Sequence, residues 1–299
     1  MNARLLLLCP GQGGQHPAMN EMALREPAAA DFLARAPLPA GALFDNRVAQ
    51  PAVVAATLAM WLALRPRLAA LRLAPALVAG YSVGELSAYG VAGAFDPLTV
   101  VALAQRRAAL MDQAAHGAQT LAAVGALPLA RVAELAAGHG FAVAIVNGHD
   151  SFIIGGPAAR LPDLQAQLEV AGARVQHLPV TVAAHTPLLA AAVQPFADLL
   201  AATPFAPLAC PVLSGVDAAP LHGARQAVDA LSRQLAATIR WADCMDAAAE
   251  AGITVALELG PGAALSRMLQ ARHPQIACRS IAEFRSIDGV VKWIERAIE

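Results

Sequence analysis

The chain has 299 residues, a net charge of −1 from 21 basic and 22 acidic side chains, and a mean hydropathy of +0.51. This length exceeds the usual size of one domain, so we expect a large α/β body with a smaller inserted or appended subdomain. The balanced charge and the scattered arginines exclude the basic surface that nucleic-acid binding needs. The longest apolar run, residues 51–64, is shorter than the roughly 20 residues of a membrane span, and it predicts a buried helix in a soluble protein.

The amino-terminal segment 1–9 has only a short apolar stretch before a glycine-rich turn, so we predict no secretory signal and a cytoplasmic location. The cysteines lack the paired spacing of a metal or redox site, and we predict neither zinc nor disulfides. They are Cys9, Cys210, Cys244 and Cys278.

The first part of the chain alternates apolar strands with alanine-rich helices. We predict strands at 5–9 and 76–79 and helices at 51–71, 86–91 and 98–115. Each strand ends at a glycine-rich turn, which is typical of an α/β body with a parallel sheet.

The pattern changes to the order βαββαβ in the next segment. The predicted elements are strands at 121–127, 141–146, 151–155 and 174–180 and helices at 129–138 and 158–172. Two split βαβ halves of this kind form a ferredoxin-like unit with its helices on one face of the sheet. We therefore predict a small ferredoxin-like subdomain at 120–181, inserted into a large α/β-hydrolase-like body formed by 1–119 and 182–299.

The last part of the chain returns to the alternation of the body. The predicted elements are helices at 187–202, 224–237 and 242–251, strands at 211–214 and 254–259, and a closing turn at 260–262.

The first candidate for chemistry is the segment Gly80–Gly84, which contains Ser82. A nucleophilic serine works best on a sharp strand-to-helix turn, where flanking glycines let the backbones pass closely. A predicted strand precedes this segment and a predicted helix follows it, so we interpret Ser82 as the nucleophile. An ordinary serine in a glycine-rich turn is the alternative.

A serine nucleophile needs a base, and His185 is the best placed of the eight histidines. It follows a predicted strand, and Thr186 and Pro187 after it are typical of a helix start.

The glycine-rich turn Gly11–Gly14 also follows a strand and could offer backbone N–H groups to an oxyanion or a phosphate. It lacks both the lysine of a phosphate-binding loop and the spacing of a dinucleotide-binding turn, which argues against nucleotide binding.

Together these motifs resemble the malonyl-CoA:acyl carrier protein transacylase family over essentially the whole chain. The matching features are the turn Pro10–Gln15, the elbow Gly80–Glu85, the helical segment Arg107–Met111, the asparagine-bearing segment Asn147–Gly155, the base His185, Gln234 followed by Trp241, and the closing turn Glu258–Gly262.

The resemblance implies that Ser82 attacks a malonyl thioester with His185 as general base, and that a carrier-protein thiol then releases the malonyl-serine ester. The backbone N–H groups of Gln12 and Val83 would hold the oxyanion, a stabilisation worth about 3 to 4 kcal/mol per donor. The main-chain carbonyl at Gln234 would orient the histidine, so we predict no acidic member of a triad.

The resemblance also implies that Arg107 binds the malonyl carboxylate, because a planar guanidinium makes parallel hydrogen bonds to a carboxylate. The alternative is a solvated helix arginine like Arg106. Asn147 would contact the substrate, and Tyr81 would be a wall of the site or a hydrogen-bond donor. The alternative for Tyr81 is a packed phenol.

Tyr81 replaces the histidine usual in the fatty-acid enzymes, and with the Cys9 opening it resembles the malonate decarboxylase epsilon subunit. The resemblance then implies malonyl-CoA as donor and, as acceptor, the prosthetic thiol of a carrier-protein subunit, without a permanently bound cofactor. The alternatives are a transacylase of fatty-acid synthesis, a serine thioesterase or hydrolase, and a catalytically silent scaffold.

Overall fold

The computed structural model describes residues 3–299, so the first two residues of the predicted amino-terminal segment lie outside the described part. Two sheets organise the chain, one with six strands and one with four. The strands are β1 Leu5–Cys9, β2 Pro75–Gly80, β3 Gln119–Gly125, β4 Ala142–Val146, β5 Ser151–Pro157, β6 Arg174–Leu178, β7 Val212–Leu213, β8 Pro220–Leu221, β9 Val255–Glu258 and β10 Ala277–Ser280.

Helices surround both sheets. They are α1 Pro27–Arg35, α2 Asn46–Ala70, α3 Val83–Val91, α4 Pro97–Ala114, α5 Leu129–Gly138, α6 Leu161–Val170, α7 Ala190–Ala201, α8 Ala224–Arg233, α9 Trp241–Glu250, α10 Ala264–Arg272 and α11 Ile287–Ile298.

The six-stranded sheet has the order β10-β9-β1-β2-β7-β8, and all its pairs are parallel except the short antiparallel pair β7 and β8. The central strand β1 is buried on both faces, which explains its uninterrupted apolar sequence. Leu5 and Leu7 face the core formed with α2, α3 and α4, whereas Leu6 and Leu8 face the core that includes α9 and α10.

The connections reverse direction at β1, since β2 lies on one side of it and β9 on the other. At such a switch point the loops at the carboxyl ends of parallel strands separate and leave a crevice for a ligand. The turn after β1, the elbow after β2 and the turn after β9 therefore meet at one edge of the sheet.

The four-stranded sheet is antiparallel and has the order β4-β5-β3-β6. Ala122 and Val124 on one face of β3 pack against α5 and α6. Leu121 on the opposite face packs toward the body. One sheet face is thus covered by helices, and the other is directed at the ends of the body strands.

Five predicted helix boundaries differ from the structure by three residues or more. Among the helix starts, α2 begins at Asn46 and not at 51, α3 begins at Val83 and not at 86, and α7 begins at Ala190, after a 3-10 turn, and not at 187. The helix predicted at 224–237 ends at Arg233, and the helix predicted at 158–172 begins at Leu161 after a short 3-10 turn. Five elements were not predicted, namely α1, β8, α10, β10 and α11.

Among the described helices, α2 has the length and hydropathy of a membrane span. Of its most apolar stretch, 83% is buried inside the protein, so it is the central core helix that the apolar run predicted.

Candidate active site

Ser82 occupies a strained turn between β2 and α3. Its backbone angles are φ 55° and ψ −121°, a combination that residues other than glycine rarely adopt. A Cβ at Gly80 would lie 2.2 Å from the Glu85 nitrogen, so only glycine fits there. A Cβ at Gly84 would lie 2.1 Å from the Cys9 carbonyl oxygen. The two glycines thus let the chain turn sharply and place Ser82 at the amino end of α3.

His185 faces this serine from a distant segment. Its Nε2 lies 2.8 Å from the Ser82 Oγ, although the two residues are 103 positions apart. The backbone of His185 has a φ of 63°, and its N–H donates to the Leu235 carbonyl at 2.9 Å. A left-handed backbone and a long-range hydrogen bond therefore aim the ring at the serine.

The second ring nitrogen of His185 is held by a main-chain carbonyl. Nδ1 lies 2.6 Å from the Gln234 oxygen. Because a carbonyl can only accept, Nδ1 carries the proton and Nε2 is left to accept the Ser82 hydroxyl. The carbonyl is available because α8 ends at Arg233 and does not continue past Gln234. Both ring nitrogens are used, and neither contacts a carboxylate.

The environment keeps His185 neutral. Burial lowers its pKa to about 3, and the positive charge of Arg107 acts in the same direction. A neutral imidazole at pH 7 is the form that can take the serine proton.

The side chain of Gln234 links three parts of the site. Its Oε1 accepts from Arg107 Nη2 at 3.0 Å. Its Nε2 donates to the main-chain oxygen of Ser82 at 3.2 Å and to Glu85 Oε2 at 2.5 Å. Gln234 therefore contacts the base through its backbone, and the elbow and Arg107 through its amide.

Arg107 is buried in α4, whereas its neighbour Arg106 is exposed. Its Nη1 donates to Gln50 Oε1 at 2.6 Å, and burial lowers its pKa to about 10, so it remains charged at pH 7. A guanidinium has more N–H donors than the two used by Gln50 and Gln234, which leaves donors for an anion. Arg107 itself is not among the residues that line the cavity at Ser82.

That cavity has a volume of about 430 Å³ and lies between the two sheets. Each strand of the small sheet contributes one apolar side chain to its wall, and these are Leu121, Ile145, Ile153 and Leu178. The turn Pro10–Gly14, Ser82 and His185 line the same cavity. The small sheet therefore supplies an apolar cover to a polar site.

Tyr81 and Asn147 form a hydrogen-bonded pair in the cavity wall. The Tyr81 hydroxyl donates to Asn147 Oδ1 at 3.1 Å, and the phenol ring packs edge-to-face on Trp241 with centroids 5.3 Å apart. Burial raises the pKa of the Tyr81 hydroxyl, so it remains protonated. Tyr81 is thus both a packed phenol and a donor.

The predicted oxyanion donors lie beside the serine. Gln12 lines the cavity, and Val83 is the first residue of α3. Within residues 3–299 neither N–H makes a hydrogen bond, as expected for Val83 at a helix amino end. The two N–H groups are therefore free to meet an oxyanion.

Two further polar side chains of the site, Gln50 and Glu85, had no predicted role. Gln50 is a fully buried polar side chain at the start of the apolar part of α2, and such a residue indicates a buried polar partner. Glu85 is equally buried. No group of three or more metal-ligating side chains lies within residues 3–299.

Comparison with known proteins gives the family. The sequence-family model of the acyl transferase domain matches residues 37–286, which is more than half of the chain. The chain is 32% identical over 302 residues to the malonyl CoA-acyl carrier protein transacylase of Mycobacterium bovis, covering 95% of this chain and 98% of that protein. It is also 32% identical over 259 residues to the polyketide biosynthesis protein ThaF of Burkholderia thailandensis, covering 84% of this chain but 22% of that longer protein.

Among solved structures, the fold resembles that of a malonyl-transacylase in complex with a type II polyketide acyl carrier protein. The TM-score is 0.87 at 25% identity, and the match covers 97% of this chain and 99% of that one. The glycine elbow, the paired serine and histidine and these matches agree, and the chain belongs to the acyl transferase family.

Proposed function

We propose that this chain transfers a malonyl group from malonyl-CoA to the thiol of an acyl carrier protein through a malonyl-serine ester. The chain is an enzyme of the malonyl-CoA:acyl carrier protein S-malonyltransferase type, like the relative that it matches over nearly its full length. The observation that carries the proposal is the 2.8 Å contact between Ser82 Oγ and His185 Nε2, with Nδ1 held by a main-chain carbonyl.

In the first half-reaction, Ser82 Oγ attacks the thioester carbonyl carbon while its proton passes to His185 Nε2. The carbonyl oxygen becomes an oxyanion that accepts from the N–H groups of Gln12 and Val83. The carbon–sulfur bond then breaks, and the coenzyme A sulfur leaves with the proton from His185. The second half-reaction reverses these steps, with the carrier thiol as the nucleophile.

Arg107 would select the acyl group by binding the free carboxylate of malonate. Its charge, its burial and its unused donors support this role, since a buried guanidinium binds a carboxylate strongly. The amide of Gln234 contacts both Arg107 and the main-chain oxygen of Ser82, which supports a role for Arg107 close to the nucleophile.

We further propose that the acceptor is the carrier subunit of a malonate decarboxylase, so that this chain is its epsilon subunit. Tyr81 supports this branch over fatty-acid synthesis, because it stands where the fatty-acid enzymes usually carry histidine. Its phenol donates to Asn147 in the cavity wall. The reaction needs no permanently bound cofactor, and we expect it to take place in the cytoplasm.

The same proposal includes the domain organisation. Residues 120–181 would form a ferredoxin-like subdomain inserted into an α/β-hydrolase-like body of residues 1–119 and 182–299. The strand order of the small sheet and the packing of both of its helices on one face support this description.

The test is incubation with malonyl-CoA followed by intact-protein mass spectrometry. We expect one stable malonyl group on the wild type and none on Ser82→Ala, and transfer to an added carrier protein that bears a prosthetic thiol. Release of free malonate without a carrier would instead identify a hydrolase. Rates with a decarboxylase carrier subunit and with a fatty-acid carrier protein would decide the branch.

A further inference from the structure

Glu85 is a fully buried carboxylate in α3 that the reaction outlined above does not use. Its Oε2 accepts from Gln234 Nε2 at 2.5 Å and from the Gly215 N–H at 3.1 Å. Its Oε1 is buried and has no hydrogen-bond partner among residues 3–299. Burying a carboxylate in this way is costly, so its position needs a compensating role.

The amide of Gln234 lies between two groups of opposite hydrogen-bonding character. Arg107 on one side can only donate, and the Glu85 carboxylate and the Ser82 carbonyl on the other side accept. If the amide were flipped, its NH₂ group would face the guanidinium and its oxygen would face two acceptors. Only the observed orientation satisfies all of these neighbours.

We propose that Glu85 is a positioning residue, which fixes the amide orientation of Gln234 so that Oε1 orients the Arg107 guanidinium toward the acyl carboxylate. The inference rests on the proposed malonyl transfer and adds a determinant of acyl selectivity one turn from the nucleophile. Glu85 is not among the residues that line the cavity at Ser82, and it acts through the Glu85–Gln234–Arg107 chain.

Gly215 lies close to the Glu85 carboxylate and belongs to the same hydrogen-bonded group. A Cβ on Gly215 would lie 2.8 Å from Glu85 Oε2, so an alanine there would displace the carboxylate without changing its chemistry. Gly215 does not have a positive φ, so the main effect of alanine is this contact. Gly215→Ala therefore moves the Glu85 carboxylate while leaving the residue at position 85 unchanged.

The experiment compares transfer of malonyl and acetyl groups from their coenzyme A thioesters, because acetyl lacks the carboxylate that Arg107 would bind. Glu85→Gln and Glu85→Met have similar lengths, but only the glutamine retains an acceptor oxygen for Gln234. We expect Glu85→Met to lower the malonyl-to-acetyl ratio of kcat/KM about tenfold, and Glu85→Gln to stay within about threefold of the wild type.

An unchanged ratio in folded Glu85→Met would overturn the inference, and so would an equal loss in Glu85→Gln, since the acceptor oxygen would then not matter. If Glu85→Met does not fold, Gly215→Ala decides, with a several-fold fall in the ratio expected and an unchanged ratio contradicting the inference. A wild type that transfers no malonyl would refute the proposed function itself, and this outcome is separate because it appears before any variant is compared.

Discussion

The two halves of the candidate site, the serine elbow and the arginine anchor, are built in different ways. The elbow is local, since two glycines and one strained serine within Gly80–Gly84 set its geometry. The anchor joins Gln50 from α2, Arg107 from α4 and Gln234 after α8. Backbone sterics place Ser82, whereas the need to satisfy buried polar groups places Arg107, the proposed anchor of the malonyl carboxylate.

The largest effect should come from the local half. Replacing Ser82 by alanine removes the nucleophile, and we expect kcat for malonyl transfer to fall by at least about a thousandfold. Circular dichroism and thermal unfolding would show whether the fold is retained. A variant that keeps more than a tenth of the wild-type rate would show that the elbow is not the reacting centre.

Removal of the guanidinium tests the anchor. For Arg107→Ala we expect a loss of about a hundredfold in kcat/KM for malonyl-CoA, because a charged hydrogen-bond pair to the acyl carboxylate is lost. Acetyl transfer should fall much less. Arg106→Ala is the matched control, because that exposed side chain lies next in the same helix. Equal losses for both acyl groups would contradict the anchor.

The neutral state of His185 can be tested by lowering the pH. The pKa of His185 is about 3 in the folded protein, and about 6.5 in an unfolded chain. The unfolded state therefore binds a proton as the pH falls below about 6.5 while the folded state does not, so the free energy of unfolding decreases.

His185→Gln should remove this term. Between pH 7 and pH 5, the wild type should lose about 2 kcal/mol more of unfolding free energy than the variant. Urea unfolding of both proteins at the two pH values measures the difference. Parallel losses in the two proteins would show that burial does not hold the ring neutral. His149→Gln is a suitable control because His149 is exposed.

The smallest effect should come from the outer partner of Arg107. Gln50→Met keeps the length of the side chain but removes one acceptor of the guanidinium, and we expect kcat/KM for malonyl-CoA to fall about fivefold to tenfold. Gln167→Met, at an exposed position of α6, controls for the added methionine. If Gln50→Met keeps the wild-type kcat/KM for malonyl-CoA, Gln50 does not help Arg107 to bind the malonyl carboxylate.

Much of the fold was predictable because its signals are local. The apolar run 5–9, the strand before Gly80 and the βαββαβ order of the small sheet correspond to observed elements. The strand β8 was missed because two residues carry no period. The helix α11 was missed although Ile287, Val290 and Ile294 recur at the helical period and form its buried face. The helix end at Arg233 was also missed, because the tertiary contact of the Gln234 carbonyl with His185 is not visible in the local pattern.

The amino-acid sequence by itself determined the elbow, the glycine turns and the residue types of the site, since sterics between neighbouring residues act within a few positions. Only the tertiary structure decided that His185 reaches Ser82 and that the Gln234 amide connects Arg107 to Glu85. Those contacts join residues brought together by the packing of two sheets and their helices, where each buried polar atom takes the partner that the fold offers it.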